Sequence, residues 1–199
     1  MDGAEGAVAG TRRPGQGGGI ARSMEQKSAE AGGGAAAGPR AYGFLTAVES
    51  PTHGVFGGYL LVDPWGRPLE FHCTAPVKVS RAQQILFGST LQSHLHGQQI
   101  GGTLLAEATV RPEVVLIDLE PMLHVRNHTQ LPVALVRDGS ADAATGPRPM
   151  ADGGFGGGSF ALGDATVSPH ASDVAPEAGI RERLSELAAA VDLREPFRS

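Results

Sequence analysis

Glu70, His72 and Thr74 alternate with apolar residues in a stretch that reads as a β-strand, and they form the densest polar row in the chain. Every second side chain of a strand shares a face, so successive members of this row stand about 7 Å apart and can line one pocket wall. A carboxylate beside an imidazole fixes its tautomer and raises its basicity, which general acid–base chemistry uses. The plainer reading is the water-facing side of a half-buried antiparallel strand. Cys73 adjoins His72, but strand neighbours project to opposite faces, so the two do not make a thiol–imidazole pair. Cys73 shares its row with Leu69, Phe71 and Ala75, which predicts a thiol packed inward and an imidazole turned outward.

Other candidates are weaker. Lys78 and Arg81 flank the start of a helix and form a candidate anion-binding pair, set against the reading of two exposed cations. Asp118 ends an apolar run, either as a functional carboxylate or as a strand terminus reaching water. Of the seven histidines, His94 and His96 point about 200° apart on a helix and cannot share an ion. His124 and His128 share a face only on a helix, and Arg126-Asn127 between them reads as a loop. With one cysteine and no ligand spacing, no metal site is expected. The glycine-rich segments 54–58 and 97–102 match neither a P-loop nor a dinucleotide fingerprint, so no cofactor is implied.

These residues need elements to hold them. Segments 42–49 and 55–62 read as strands, the second apolar on both faces and therefore central. Gly57-Gly58 within it suggests a bulge or close approach by a neighbour. Asp63-Pro64-Trp65-Gly66 has the residue order of a type I turn, leading into the strand 67–77. Ser80 and Gln83 form a capping box opening a helical segment 81–106, with Gly88 as a stop inside it. Gly97, Gly101 and Gly102 each cost that helix roughly 1 kcal/mol relative to alanine, which predicts a closely packed neighbour or a break. Segments 113–119 and 131–137 supply two further strands. Ile180, Leu184, Leu187 and Val191 recur at helical spacing, and a helix so short must dock its stripe on something.

The expected fold is α+β: a small antiparallel sheet of four or five strands with helices packed on one face. Residues 1–40 read as a disordered Gly/Ala-rich leader, 41–138 as the α+β domain, 139–175 as a Gly-rich low-complexity linker and 176–195 as an amphipathic helix. Met24 is a second candidate start. The hairpin Gly57 to Phe71 resembles the central hairpin of roadblock- and profilin-like modules, over that span alone and through a turn common to antiparallel folds. It assigns no family.

Net charge is −5, and residues 41–138 carry no cluster of Lys and Arg, so composition lends no support to nucleic-acid binding. No apolar run approaches the ~20 residues of a membrane span. A single cysteine suits a reducing cytoplasm. The function expected first is a cytoplasmic protein-interaction or assembly module, with a protein partner or self-association. The alternative is a small-molecule-binding protein or enzyme with a pocket on the Glu70, His72 and Thr74 face.

Overall fold

The computed structural model describes residues 40–139, 158–173 and 177–198. Three strands come first: β1 (Tyr42–Ser50), β2 (Gly54–Val62) and β3 (Pro68–Cys73). They pair antiparallel, as alternation and the Asp63 turn predict. Asp63 closes that turn with its own carboxylate, accepting from the backbone N–H of Trp65 at 2.9 Å and of Arg67 at 3.0 Å. Gly66 takes φ +79° there, a conformation that favours glycine.

A helical run of 27 residues follows. It comprises α1 (Arg81–Phe87), a 3₁₀ turn (Gly88–Thr90), α2 (Leu91–Ser93), a π-helix (His94–Gly102) and α3 (Thr103–Glu107). The capping box at Ser80 and Gln83 is formed on both sides. Gly88 (φ +50°) breaks the run without ending it. β4 (Val114–Ile117), a 3₁₀ helix (Glu120–His128) and β5 (Val133–Asp138) come next, then β6 (Phe160–Leu162), β7 (Ala165–Pro169) and α4 (Glu177–Ala190).

The sheet has seven strands in the order β3-β2-β1-β4-β5-β7-β6. It is mixed: β4 lies parallel to both β1 and β5, and the other pairs are antiparallel. The expected four- or five-stranded antiparallel sheet is therefore corrected. The long helical run carries the chain back across the sheet, so β4 enters beside β1 in the same direction, as a crossover connection does. All four residues of β4 are fully buried, the mark of a parallel strand covered on both faces.

Helices cover both faces, which corrects the expectation of one. Leu95, Ile100 and Leu104 of the helical run, with Met122 and Val125 of the 3₁₀ helix, pack on Leu45, Tyr59 and Ile117. On the opposite face α4 buries Ile180, Leu184 and Leu187 against Phe44, Leu116 and Val136. Its amphipathic stripe does dock, and the Tyr42 hydroxyl ties it down by donating to the Arg183 carbonyl at 2.8 Å. Within 139–175, expected as linker, β6 and β7 extend the sheet; 140–157 and 1–39, most of the expected leader, lie outside the described residues.

The glycines report close packing. A Cβ on Gly57 would stand 2.2 Å from Ile100 Cγ2, and one on Gly97 would stand 2.8 Å from His124 Cβ. Close approach is thus what these positions require, and it is what lets the π-helix descend onto β2 and onto the 3₁₀ helix.

Candidate functional site

β3 is extended, but its two faces are the reverse of expectation. Glu70, His72 and Thr74 turn towards the helical layer and are half-buried, whereas Phe71 is 67 % exposed and Cys73 is exposed. β3 is an edge strand, and its outer row projects where nothing among the described residues covers it. The polar row turns inward because each member finds a partner there.

Glu70 has the most partners. Its carboxylate accepts from the His72 imidazole at 3.0 Å, from the N–H groups of Thr109 and Val110 at 3.0 Å each, and from the Thr109 hydroxyl. The hydrogen bonds from His72 and Thr109 push its pKa down to about 2. A carboxylate so committed anchors the loop after α3; it is not a free general base. Thr74 accepts from the Gly57 N–H at 2.9 Å and closes the end of the β2–β3 pair. Lys78 and Arg81 are exposed on the segment leading into α1 and line neither of the two pockets described here.

The loop that Glu70 holds forms one wall of a pocket of 580 Å³. Its other walls are Tyr59, Leu105 and residues 127–131. A second buried carboxylate, Asp173, fixes that far wall. It receives Arg126 Nε at 2.9 Å and the Val133 N–H at 3.1 Å, while Arg126 also donates to the Thr129 carbonyl at 2.7 Å. Both walls are therefore pinned from behind by ionic hydrogen bonds, and the pocket is preformed.

Tyr59 stands opposite His72 in the β2–β3 register, with its ring laid over Gly43. A Cβ on Gly43 would come within 2.5 Å of the phenolic oxygen, so only glycine leaves room for it. The Tyr59 side chain is fully buried, and among the described residues its hydroxyl has no hydrogen-bond partner. Burial, reinforced by the nearby Glu70 charge, pushes the phenol's pKa up, so it remains a neutral donor. Tyr59 went unremarked in the sequence. The available signal was a hydroxyl-bearing ring at an inward position of an apolar strand, since a buried tyrosine ordinarily finds a partner for its hydroxyl.

At the opposite, carboxyl end of the parallel strands, Asp118 lies one residue beyond β4. Its Oδ2 accepts from the Thr46 hydroxyl at 3.0 Å, and its Oδ1 is buried without a partner among the described residues. Burial pushes this carboxyl's pKa up. The strand-end reading of Asp118 holds in position, yet its side chain does not simply reach water.

No protein-family model matches the chain, and neither does any curated protein. Solved structures similar to it include two complexes of Ciona intestinalis endonuclease V with inosine-containing DNA. One is 15 % identical over 48 % of this chain and 46 % of that one, with a TM-score of 0.32. The other is 12 % identical over 72 % of this chain and 76 % of that one, with a TM-score of 0.40. Marinitoga piezophila Argonaute in complex with guide RNA is 12 % identical over 66 % of this chain and 23 % of that one, with a TM-score of 0.31. The chain thus spans less than two thirds of the first endonuclease V chain and of Argonaute. Those structures hold DNA or RNA, so the expectations of no evidence for nucleic acid and of a protein partner first are corrected at the level of the comparisons alone; nothing of what they bind passes to this chain. The likeness itself is a loose one of fold.

Proposed function

We propose that this chain is a small-molecule-binding protein or enzyme whose ligand enters the pocket between Tyr59, the 108–112 loop and the 127–131 loop. The observation that carries the reading is Tyr59, which lines the pocket and whose buried hydroxyl has no partner among the described residues. An unsatisfied buried donor costs roughly 1–3 kcal/mol, and such a cost persists where a ligand group completes the bond. Arg111 at the exposed rim and the side chains of Asn127 and Gln130 offer further donors to a polar ligand. A cytoplasmic setting, with Cys73 as a free thiol, belongs to the same proposal.

The test is a thermal-shift and ligand-observed NMR screen of nucleosides, mononucleotides, small carboxylates and short single-stranded oligonucleotides. A ligand that shifts the resonances of Tyr59, Thr109 and Thr129, and binds more weakly to Tyr59→Phe, supports the reading. Hits that leave those resonances unmoved would overturn it.

A second reading has one observation of its own. Asp118 sits at the carboxyl end of β4, bonded to Thr46 of the parallel neighbour β1, where the direction of strand order changes; open sheets bind ligands at that place. Chemistry there, tested on short DNA and RNA strands, should vanish in Asp118→Asn with the fold retained, because the amide keeps the Thr46 bond and loses the ionisable group. Activity surviving in Asp118→Asn would remove this reading.

A further inference from the structure

The seven histidines divide cleanly by their partners. His53 bonds to Thr52, His72 to Glu70, His96 to the Gln92 carbonyl and His170 to the Ser172 N–H. The other three are His94, His124 and His128, and among the described residues none of their ring nitrogens is hydrogen-bonded. All three line one cavity of 280 Å³ between the helical run and the 3₁₀ helix. Ser93, Gln98 and Asn127 add to its polar side, and no carboxylate lies in its wall. The Thr90 hydroxyl is also present, but its proton is given to the Phe87 carbonyl at 2.8 Å.

The fold builds this convergence. Gly97 brings the π-helix within reach of His124, as the 2.8 Å to a Cβ there shows. Phe87 stacks on the His94 ring at 4.1 Å and 13°, holding its plane. On a 3₁₀ helix, with three residues per turn, positions four apart diverge by about 120°. His124 and His128 therefore flank the cavity and do not meet across one point. Reading Arg126-Asn127 as a loop hid this pair; both residues lie in the 3₁₀ helix Glu120–His128.

The geometry points to a binding site for a small oxyanion, with phosphate or a phosphate monoester as its chemical class. A metal ion would need its ligand nitrogens roughly 2 Å from one centre, and among the described residues no three His, Cys, Asp or Glu are placed to share an ion. An oxyanion carries its own oxygens outward and takes hydrogen bonds of about 2.8 Å at each, so separated imidazoles, a hydroxyl and an amide suit it. A wall without a carboxylate also suits an anion. The neighbouring arginines are already committed, Arg126 to Asp173 and Arg137 to Glu120. His170 interacts with His124 by charge, and burial pushes its pKa down. The site has its own walls and does not rest on the Tyr59 pocket, although Asn127 and His128 border both.

The experiment titrates inorganic phosphate into the full chain at constant pH and ionic strength in chloride, followed by histidine ring resonances. Saturable shifts of His94, His124 and His128, with binding roughly tenfold weaker in His124→Gln/His128→Gln, are expected. Tyr59→Phe should bind phosphate as the unaltered protein does. Non-saturating shifts, saturation confined to other histidines, or tight binding of zinc without phosphate would each overturn the proposal. Histidine resonances in the unaltered protein decide the matter even if the double variant fails to fold.

Discussion

Replacing Tyr59 with phenylalanine removes one oxygen and leaves the ring over Gly43 in place. In the free protein that oxygen is buried with no partner among the described residues, so its removal should relieve a penalty of about 1–3 kcal/mol. Some of the gain is lost with the dispersion contacts of the oxygen, and a net stabilisation of about 1 kcal/mol is expected. For a chain of this size that raises Tm by about 2–4 °C. Urea denaturation should show a higher midpoint with an unchanged m-value. Ligand binding should move the other way. One neutral hydrogen bond lost at the pocket is worth about 0.5–1.5 kcal/mol, a two- to twelvefold rise in Kd. The opposed signs are the point: stability up, affinity down. A variant destabilised by more than about 1 kcal/mol would mean that the hydroxyl is satisfied in solution, and the reasoning from it would fail.

Gly57→Ala ordinarily gains stability in a strand by restricting the unfolded chain, but here the new Cβ meets Ile100 at 2.2 Å and Leu104 at 2.9 Å. Overpacking should win, costing about 1–3 kcal/mol in chemical denaturation; a stabilised variant would show the helical run sitting farther from β2. Glu70 carries a folded-state pKa of about 2, below its ordinary value. Its contribution is thus full above pH 4.5 and lost as pH falls through 2, and Glu70→Gln should flatten that acid limb while loosening amide protection at Thr109 and Val110. An unchanged acid limb in the variant would show that the Glu70 bonds are not stably formed.

Much of the fold was legible, and what was not has definite causes. The apolar run of β2, the alternation in β3, the Asp63 turn, the Ser80 capping box and the α4 stripe are local signals, each written within a few residues and each present in the structure. Sheet order is not local. Val114 to Ile117 carries the continuous apolar run of a strand buried on both faces, yet nothing near it says that β1 will be its parallel neighbour. β6 and β7 have three and five residues and sit among glycines and prolines, so composition hid them. Inside and outside on β3 failed for a physical reason as well. Polarity in a strand ordinarily means water, but Glu70 is held inside by two backbone N–H groups from the loop after α3, and a sequence does not show such long-range partners.

The same point explains why the candidate site was half visible. Glu70, paired with His72, holds the 109–110 loop as Asp173 holds the 127–131 loop. Among the described residues the buried side-chain polar atoms without a partner are the Tyr59 hydroxyl and Asp118 Oδ1, and the three cavity histidines have ring nitrogens without a hydrogen bond. A satisfied buried polar group is structural by its satisfaction. An unsatisfied one is retained at a cost, and a ligand is a physical way to offset it. By that criterion the proposed ligand pocket lies one layer inward from β3, against the loop that Glu70 holds in place. If Glu70→Gln left ligand and phosphate binding intact while Tyr59→Phe and His124→Gln/His128→Gln each weakened one of them, the division between supports and contacts would stand as drawn.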